Sequence, residues 1–186
     1  DVVSRVRRLA HTRKVGHGGT LDPMATGVLV IGIGKATKLL TWVSGHSKEY
    51  RATIRFGVAT NTDDAEGVAT AAVGCASLSE ERLEAALAAL RGDIMQVPST
   101  VSAIKVNGKR AYALARAGED VELAARPVRI SRLEVLQPPR PAECILEESD
   151  ADNAPGFQVS SGPVRVVDVD VVVECSSGTY CHLSTS

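Results

Sequence analysis

Residues 16–32 read Gly-His-Gly-Gly-Thr-Leu-Asp-Pro-Met-Ala-Thr-Gly-Val-Leu-Val-Ile-Gly, a glycine-rich loop that leads into an apolar segment. The glycines at the start of the loop have no Cβ, so a planar ligand is able to approach the backbone closely there. Pro23 fixes φ directly after Asp22 and stiffens the loop at its carboxylate. This pattern makes Asp22 a candidate catalytic residue. Aspartate before proline is also typical of a helix N-cap followed by the first helical residue, and local chemistry alone leaves both interpretations open.

The glycines of this region do not form either of the common phosphate-binding loops. A P-loop requires glycine and lysine followed by serine or threonine, whereas Gly34 and Lys35 are followed by Ala36. The dinucleotide-binding pattern of three glycines does not fit the loop either. The sequence therefore does not favour a nucleotide-phosphate site here.

Residues 16–29 resemble the signature Gly-His-x-Gly-Thr-Leu-Asp-Pro-x-Ala-Thr-Gly-Val-Leu of the bacterial tRNA pseudouridine synthase B family, TruB. The resemblance implies that Asp22 is the catalytic aspartate and that His17 contacts a flipped-out nucleotide. It also implies an isomerase that converts the T-loop uridine of tRNA, uridine-55, to pseudouridine. Neither a cofactor nor a metal is expected, and the implied partner is the T-arm stem-loop of tRNA.

Three further segments resemble the same family, and each implies a substrate-binding residue. The Lys-x-Tyr element at residues 48–50 implies that Tyr50 stacks on the uracil and helps to remove its C5 proton, although a buried tyrosine with only a structural role has the same pattern. Residues 96–118 match a second long motif, in which Lys105 is a candidate for contacting phosphate. Residues 175–180 read Cys-Ser-Ser-Gly-Thr-Tyr and imply that Tyr180 contacts the substrate.

The sequence departs from the family directly after Tyr180. The family has isoleucine or valine followed by an arginine that pairs with the catalytic aspartate, whereas this chain has Cys181 and His182. We expect His182 to take the place of that arginine at the substrate. A histidine side chain titrates near pH ~6.5 and replaces a permanently charged, bidentate guanidinium poorly. A catalytically impaired or inactive RNA-binding fragment is therefore the alternative function.

The net charge of −1 conceals an uneven distribution of charge along the chain. Residues 1–51 carry nine lysines and arginines and three acidic residues, whereas the remaining residues are acidic overall. A basic region around the glycine-rich loop suits the phosphate backbone of a nucleic acid. The same arginines are also what one expects on the solvent-exposed face of an amphipathic helix.

The cysteines and the hydropathy pattern indicate the compartment. The four cysteines are irregularly spaced and fit neither a zinc site nor a disulfide framework. The chain has no secretory signal and no apolar run long enough to span a membrane. We expect a cytoplasmic protein that acts as a monomer.

The order of the predicted elements favours an α/β fold of the α+β type, with a mixed, largely antiparallel sheet flanked by helices, because strands occur singly and in hairpins. This agrees with the pseudouridine synthase catalytic-domain fold that the resemblance implies. The pattern predicts helices over residues 1–10, 35–43 and 79–92, and strands over residues 28–33, 48–56, 126–136 and 164–175. We expect residues 1–186 to form a single, partial catalytic domain, truncated at both ends. It would have a flexible insertion near residues 137–162 and no C-terminal PUA-type domain.

Overall fold

The computed structural model describes residues 2–19, 25–97, 105–106, 109–110, 123–146 and 162–180. The chain divides into two compact units, Asp1–Ser47 and Lys48–Ser186. Within the described ranges no helix is both long enough and apolar enough to cross a membrane.

The first unit is built around a short two-stranded ribbon. Helix α1 (Val2–Leu9) is followed by strand β1 (Val15–His17), which pairs antiparallel with β2 (Ile31–Ile33). A 3-10 helix (Gly34–Leu39) then continues into helix α2 (Leu40–Ser44). These elements confirm the helix predicted near the N-terminus and, in a partly 3-10 form, the helix predicted over residues 35–43.

Close packing of Leu40 explains why glycines face each other in this ribbon. Gly16 and Gly32 pair across the two strands. A Cβ on Gly32 would lie 3.0 Å from Leu40 Cγ and from the Thr37 Cα atom. Any larger residue would therefore push α2 away from the ribbon.

The prediction of a buried strand over residues 28–33 is wrong in its extent and its burial. Only Ile31–Ile33 form a strand, and Val28 is 91% exposed. The reason is the length of the partner, because β1 offers only three residues for pairing. Apolar character alone does not show how far the neighbouring strand extends.

A five-stranded antiparallel sheet forms the second unit, with β11 (Gly162–Cys175) at its centre. Strand β3 (Lys48–Phe56) pairs along one edge of β11. On the opposite edge, β10 (Arg140–Leu146) pairs with the first half of β11 and β9 (Arg126–Val135) with the last part. Strand β6 (Gly92–Gln96) closes the sheet by pairing with β9. The predicted α+β fold with a largely antiparallel sheet is confirmed.

Helix α3 (Glu80–Ala89) covers one face of this sheet and completes the core. The Ser79 hydroxyl accepts a hydrogen bond from the Arg82 backbone N–H at 3.2 Å and caps the start of the helix. Leu83 and Leu87 are buried against alternate residues of β11 and β9. These core residues are Ile130, Leu133, Val167, Val169, Val171 and Val173.

Two small hairpins complete the described part of the second unit. Strand β4 (Ala59–Thr60) pairs with β5 (Ala69–Ala71) across a polar turn. Strands β7 (Lys105–Val106) and β8 (Lys109–Arg110) pair on either side of two residues, as the Asn107-Gly108 turn signal predicts.

Part of the segment predicted as a flexible insertion belongs to the sheet. Residues Arg140–Leu146 form β10, and Gly162 pairs with Leu146. The sequence pattern did not predict this strand because Pro141 lies within it. Strand β10 tolerates a proline because it lies at the edge of the sheet. Residues 147–161 lie outside the described part of the chain, so the remainder of the insertion stays a prediction.

Candidate active site

The described part of the glycine-rich loop begins at the end of β1. His17 is the last residue of that strand, its side chain is exposed, and its Nδ1 makes a hydrogen-bond contact with the carbonyl oxygen of Gly19. The Gly18 N–H donates to the Val30 carbonyl at 2.9 Å and extends the ribbon by one bond. Residues 20–24 lie outside the described ranges, so the catalytic role of Asp22 stays a prediction.

Gly18 lies against apolar side chains at the end of the ribbon. A Cβ at this position would lie 3.6 Å from the side chains of Leu40, Val30 and Val43, in ordinary van der Waals contact. The ribbon end is therefore packed on one side by apolar side chains while the His17 ring remains open to solvent. This places the imidazole where a ligand is able to reach it.

Tyr50 lies in the second unit on the core side of the sheet. It pairs with Val173 of β11 and packs, half-buried, against the core together with Ile54 and Phe56. These three residues thus share the core-facing side of β3, whereas Ala52 on the same side is exposed. The ring is held in place by the sheet, which suits a residue that must present a fixed surface to a ligand.

Tyr180 is held by Gln96, a residue to which sequence reasoning gave no role. The Gln96 Nε2 donates to the Tyr180 carbonyl at 2.7 Å, and the Tyr180 N–H donates to Gln96 Oε1 at 2.9 Å. The Arg126 guanidinium lies 5.8 Å from the centroid of the tyrosine ring, within the range of a cation–π contact. Gln96 and Arg126 are themselves paired across β6 and β9. No local pattern in the sequence marks this contact.

The turn before Tyr180 is fixed to β9 by hydrogen bonds of Ser176. Its hydroxyl accepts from the Arg129 N–H at 3.0 Å, and its own N–H donates to the Arg129 carbonyl at 2.8 Å. The Thr179 hydroxyl donates to the Ser176 carbonyl at 2.8 Å. Gly178 has φ +85°, a conformation that favours glycine. Each small residue of the Cys-Ser-Ser-Gly-Thr-Tyr motif except Ser177 therefore has a visible structural role.

Tyr50 and Tyr180 lie toward the same end of β11. Tyr50 is opposite Val173, two residues before the strand ends at Cys175, and Tyr180 follows that end by five residues. His17 belongs to the first unit. Lys105 lies in the β7–β8 hairpin, of which only the backbone is described, and His182 lies outside the described ranges. The substrate-binding roles of these five residues stay predictions.

Asp168 and Asp170 form ion pairs on the face of the sheet opposite the core. Arg55 holds Asp168 with two hydrogen bonds of 2.8 Å, from Nε and from Nη2, and Asp168 is only 6% exposed. The bond from Arg55 lowers the pKa of Asp168, and the same bond raises the pKa of Arg55. Asp170 accepts from the Thr53 hydroxyl at 2.6 Å and pairs with Arg140, whose hydrogen bond lowers the pKa of Asp170. These carboxylates are structural.

Comparisons with known proteins identify the family. A sequence profile of the TruB family pseudouridylate synthase (N terminal domain) matches residues 7–181. A tRNA pseudouridine synthase B from Arthrobacter sp. (strain FB24) is 59% identical over 182 residues, which cover 97% of this chain and 52% of the relative. A tRNA pseudouridine synthase B from Mycobacteroides abscessus is 56% identical over 180 residues, which cover 97% of this chain and 53% of the relative.

A solved structure also matches, and it comes from a longer chain. A crystal structure of a Cbf5-Nop10-Gar1 complex superposes with a TM-score of 0.55 at 22% identity, covering 97% of this chain and 36% of the matched chain. This likeness shows a shared fold. The chain spans about half the length of the curated relatives it matches. The chain belongs to the TruB family of pseudouridylate synthases and matches the N-terminal domain of that family.

Proposed function

We propose that this chain is the catalytic part of a tRNA pseudouridine synthase that isomerises the T-loop uridine, uridine-55, to pseudouridine. The observation that carries the proposal is the match to the family profile over residues 7–181, which includes the whole glycine-rich loop around Asp22. Relatives that are more than half identical over nearly the whole chain are tRNA pseudouridine synthases B.

Asp22 is the proposed catalytic residue. Pseudouridine formation breaks the bond between ribose C1′ and uracil N1, turns the base, and joins C1′ to C5, from which the proton then leaves. An ionised carboxylate serves this reaction either as a nucleophile toward uracil C6 or ribose C1′, or as the base that removes the ribose C2′ proton. All of these roles require Asp22 to be charged, and a nearby cation favours the charged form.

The remaining site residues bind the extruded nucleotide in this proposal. Flipping a base out of a folded RNA costs on the order of a few kcal/mol, which stacking and hydrogen bonds in the pocket recover. The open His17 imidazole suits a contact with the extruded nucleotide, and the sheet-held Tyr50 ring suits stacking on uracil. Tyr180, fixed by Gln96, would contact the nucleotide next to Tyr50, and Lys105 would contact phosphate.

The test is the Asp22→Asn variant, assayed by release of tritium from C5 of uridine in a T-arm stem-loop RNA. We expect no detectable release, because an amide neither attacks carbon nor removes a proton at a useful rate. Asp93→Asn is the matched control, since Asp93 is an exposed carboxylate that pairs with Arg129 on the surface. Release that persists in Asp22→Asn at the rate of this control would refute the proposal.

One observation favours a second candidate function. Where the family has the arginine that pairs with the catalytic aspartate, this chain has His182. An imidazole with the ordinary histidine pKa of about 6.5 is mostly uncharged at pH 8, whereas a guanidinium keeps its charge. If the chain is an impaired enzyme that binds RNA, turnover should be near zero at pH 8 and His182→Arg should raise it. Equal turnover at pH 8 in the wild-type chain and in His182→Arg would exclude this candidate.

We further propose that the protein acts in the cytoplasm as a monomer on the T arm. The compartment is supported by the cysteines. Cys75 and Cys144 are partly buried and form no disulfide, which suits a reducing compartment. Sedimentation of the purified protein with and without T-arm RNA tests the monomer, since a two-to-one complex would contradict it.

A further inference from the structure

We propose that exposed cations of the first unit form the surface that holds the phosphate backbone of the RNA. This basic surface consists of Arg5, Arg8, Arg13, Lys14, Lys35 and Lys38. The inference rests on the proposed function, because it takes the substrate to be an RNA. It adds which residues of this chain supply the electrostatic part of binding.

The first observation is the absence of acidic residues around these cations. The described residues of the first unit, 2–19 and 25–47, contain no aspartate or glutamate. None of the six cations therefore has an ion-pair partner within that part of the unit, and all six side chains are exposed. A cation without a carboxylate partner attracts mobile counterions, which a phosphate displaces with a gain in entropy.

The second observation is that at least half of the arginines in the described part of the larger unit already pair with carboxylates. Five of them hold carboxylates at 4.0 Å or less: Arg55, Arg91, Arg129, Arg132 and Arg140. An arginine in such a pair must give up its carboxylate before it binds a phosphate, so less free energy remains for the RNA. These five arginines therefore differ in their electrostatic surroundings from the six cations of the first unit.

Backbone hydrogen bonds place Lys14 and Lys35 close together at one end of the ribbon. The Thr12 N–H donates to the Arg7 carbonyl at 3.2 Å, so the chain turns directly after α1. The Gly34 N–H donates to the Lys14 carbonyl at 2.8 Å, which places Lys14 beside the start of the 3-10 helix. Lys35 is the next residue. Arg5 and Arg8 are three residues apart on α1 and share one face of that helix.

This end of the ribbon lies close to the glycine-rich loop. The ribbon pairs Val15 with Ile33 at the basic end and His17 with Ile31 at the loop end. Four residue steps separate Lys14 from Gly18, which is about 13 Å along an extended chain. Phosphates that flank a nucleotide bound at the loop would therefore fall within reach of the basic surface.

Arg7 is not part of the proposed surface. Its Nη2 donates to the Val15 carbonyl at 3.2 Å and ties α1 to β1. Replacing Arg7 would disturb the fold of the unit as well as its charge, so the test leaves it unchanged.

The experiment measures the affinity of the 186-residue chain for a T-arm stem-loop RNA over a series of salt concentrations. The test variant is Arg5→Gln/Arg8→Gln, and Lys35→Gln/Lys38→Gln is a second variant on another element. The matched control is Arg129→Gln/Arg132→Gln, which removes the same charge from ion-paired arginines of the second unit. Arg5→Lys/Arg8→Lys keeps the charge and tests for a purely structural effect.

We expect each test variant to flatten the slope of log affinity against log salt by about 1.4–1.8, because each lost phosphate contact changes it by about 0.7–0.9. The control and the lysine variant should keep the wild-type slope. A wild-type slope in both test variants, an equal change in the control, or a wild-type chain that does not bind the RNA would overturn the inference. Tritium release reports separately on the proposed function, since a chain that binds with these slopes but makes no pseudouridine would refute only catalysis.

Discussion

Gln96 and Tyr180 are 84 residues apart in sequence, yet the carboxamide of the first makes both hydrogen bonds that the peptide groups of the second offer. Gln96 is the last residue of β6, and Tyr180 follows the turn after β11. One side chain therefore replaces a strand partner and fixes the backbone of a proposed substrate-binding residue to the edge of the sheet.

The Gln96→Ala variant should release the backbone at Tyr180. Each of the two bonds contributes about 0.5–1.5 kcal/mol. The loss of both bonds therefore costs about 1–3 kcal/mol, which makes local opening roughly 5–150-fold more frequent. We expect hydrogen exchange of the Tyr180 amide to accelerate by this factor, while the amide of Val169 at the centre of the sheet keeps its protection.

Gln96→Glu separates the two bonds and serves as the control for this prediction. A carboxylate still accepts from the Tyr180 N–H, but it has no donor for the Tyr180 carbonyl. Exchange in this variant should be intermediate between wild type and Gln96→Ala. Unchanged exchange in both variants would show that the rest of the turn holds Tyr180 without Gln96.

The Arg55–Asp168 pair should make stability depend on pH in the acid range. The pKa of Asp168 is lowered by the bond from Arg55, so its carboxylate stabilises the fold above the unfolded-state pKa of about 3.9 and loses this effect as the pH falls through its folded-state pKa. Asp168→Asn should be less stable than wild type at pH 7, and the difference should close below about pH 4. Urea unfolding at a series of pH values measures it.

Removing the arginine should cost more than removing the aspartate. Arg55 keeps 44% of its side chain exposed and is able to turn to water when Asp168 is lost, whereas Asp168 is buried and would remain as an unpaired charge. We expect a loss of about 3 kcal/mol at pH 7 for Arg55→Met, near the lower end of the range for broken buried pairs, and about half of that for Asp168→Asn. A larger loss in Asp168→Asn would contradict this order.

The long strands were predictable because local pattern decides them. Alternation of apolar and polar residues identifies β3, β9 and β11 to within two residues at each end. The helix that begins at Ser79 was equally local, since serine before a run of helix formers is enough to predict its start. In these segments the sequence pattern and the tertiary pairing agree.

The segments that were predicted wrongly share a physical cause: whether they form strands depends on a pairing strand that is distant in sequence. The apolar run from Val28 stops being a strand where β1 ends, and β10 is a strand despite Pro141 because β11 offers it an edge. The site behaves in the same way. Motifs supplied Asp22, His17, Tyr50 and Tyr180 as candidates, but only the folded chain brings Gln96 to Tyr180.

Gly67 should be irreplaceable in the polar turn between β4 and β5. A Cβ there would lie 2.2 Å from Thr62 Oγ1 and 2.8 Å from Asn61 Oδ1. The same turn depends on the Asp64 carboxylate, which accepts from the Gly67 N–H at 3.1 Å. We expect Gly67→Ala to lower the free energy of unfolding by about 1–3 kcal/mol.

Gly45→Ala is the matched control for the loss of a glycine. A Cβ at Gly45 would meet no atom within 4 Å, and its φ of −85° suits any residue. This variant should be neutral or up to about 1 kcal/mol more stable. Thermal unfolding of both variants distinguishes the two cases, and equal melting temperatures would show that the turn relaxes around the new methyl group.

The Tyr50→Phe variant should separate stacking from proton transfer at the proposed site. Phenylalanine keeps the ring that packs beside Ile54 and Phe56, so the surface offered to uracil is retained. If the hydroxyl assists removal of the C5 proton, kcat for tritium release should fall by about 10²–10⁴-fold while KM stays nearly constant. Tyr50→Leu also loses the aromatic face and should raise KM. A wild-type kcat in Tyr50→Phe would leave Tyr50 with stacking alone, and the C5 proton would then need another acceptor.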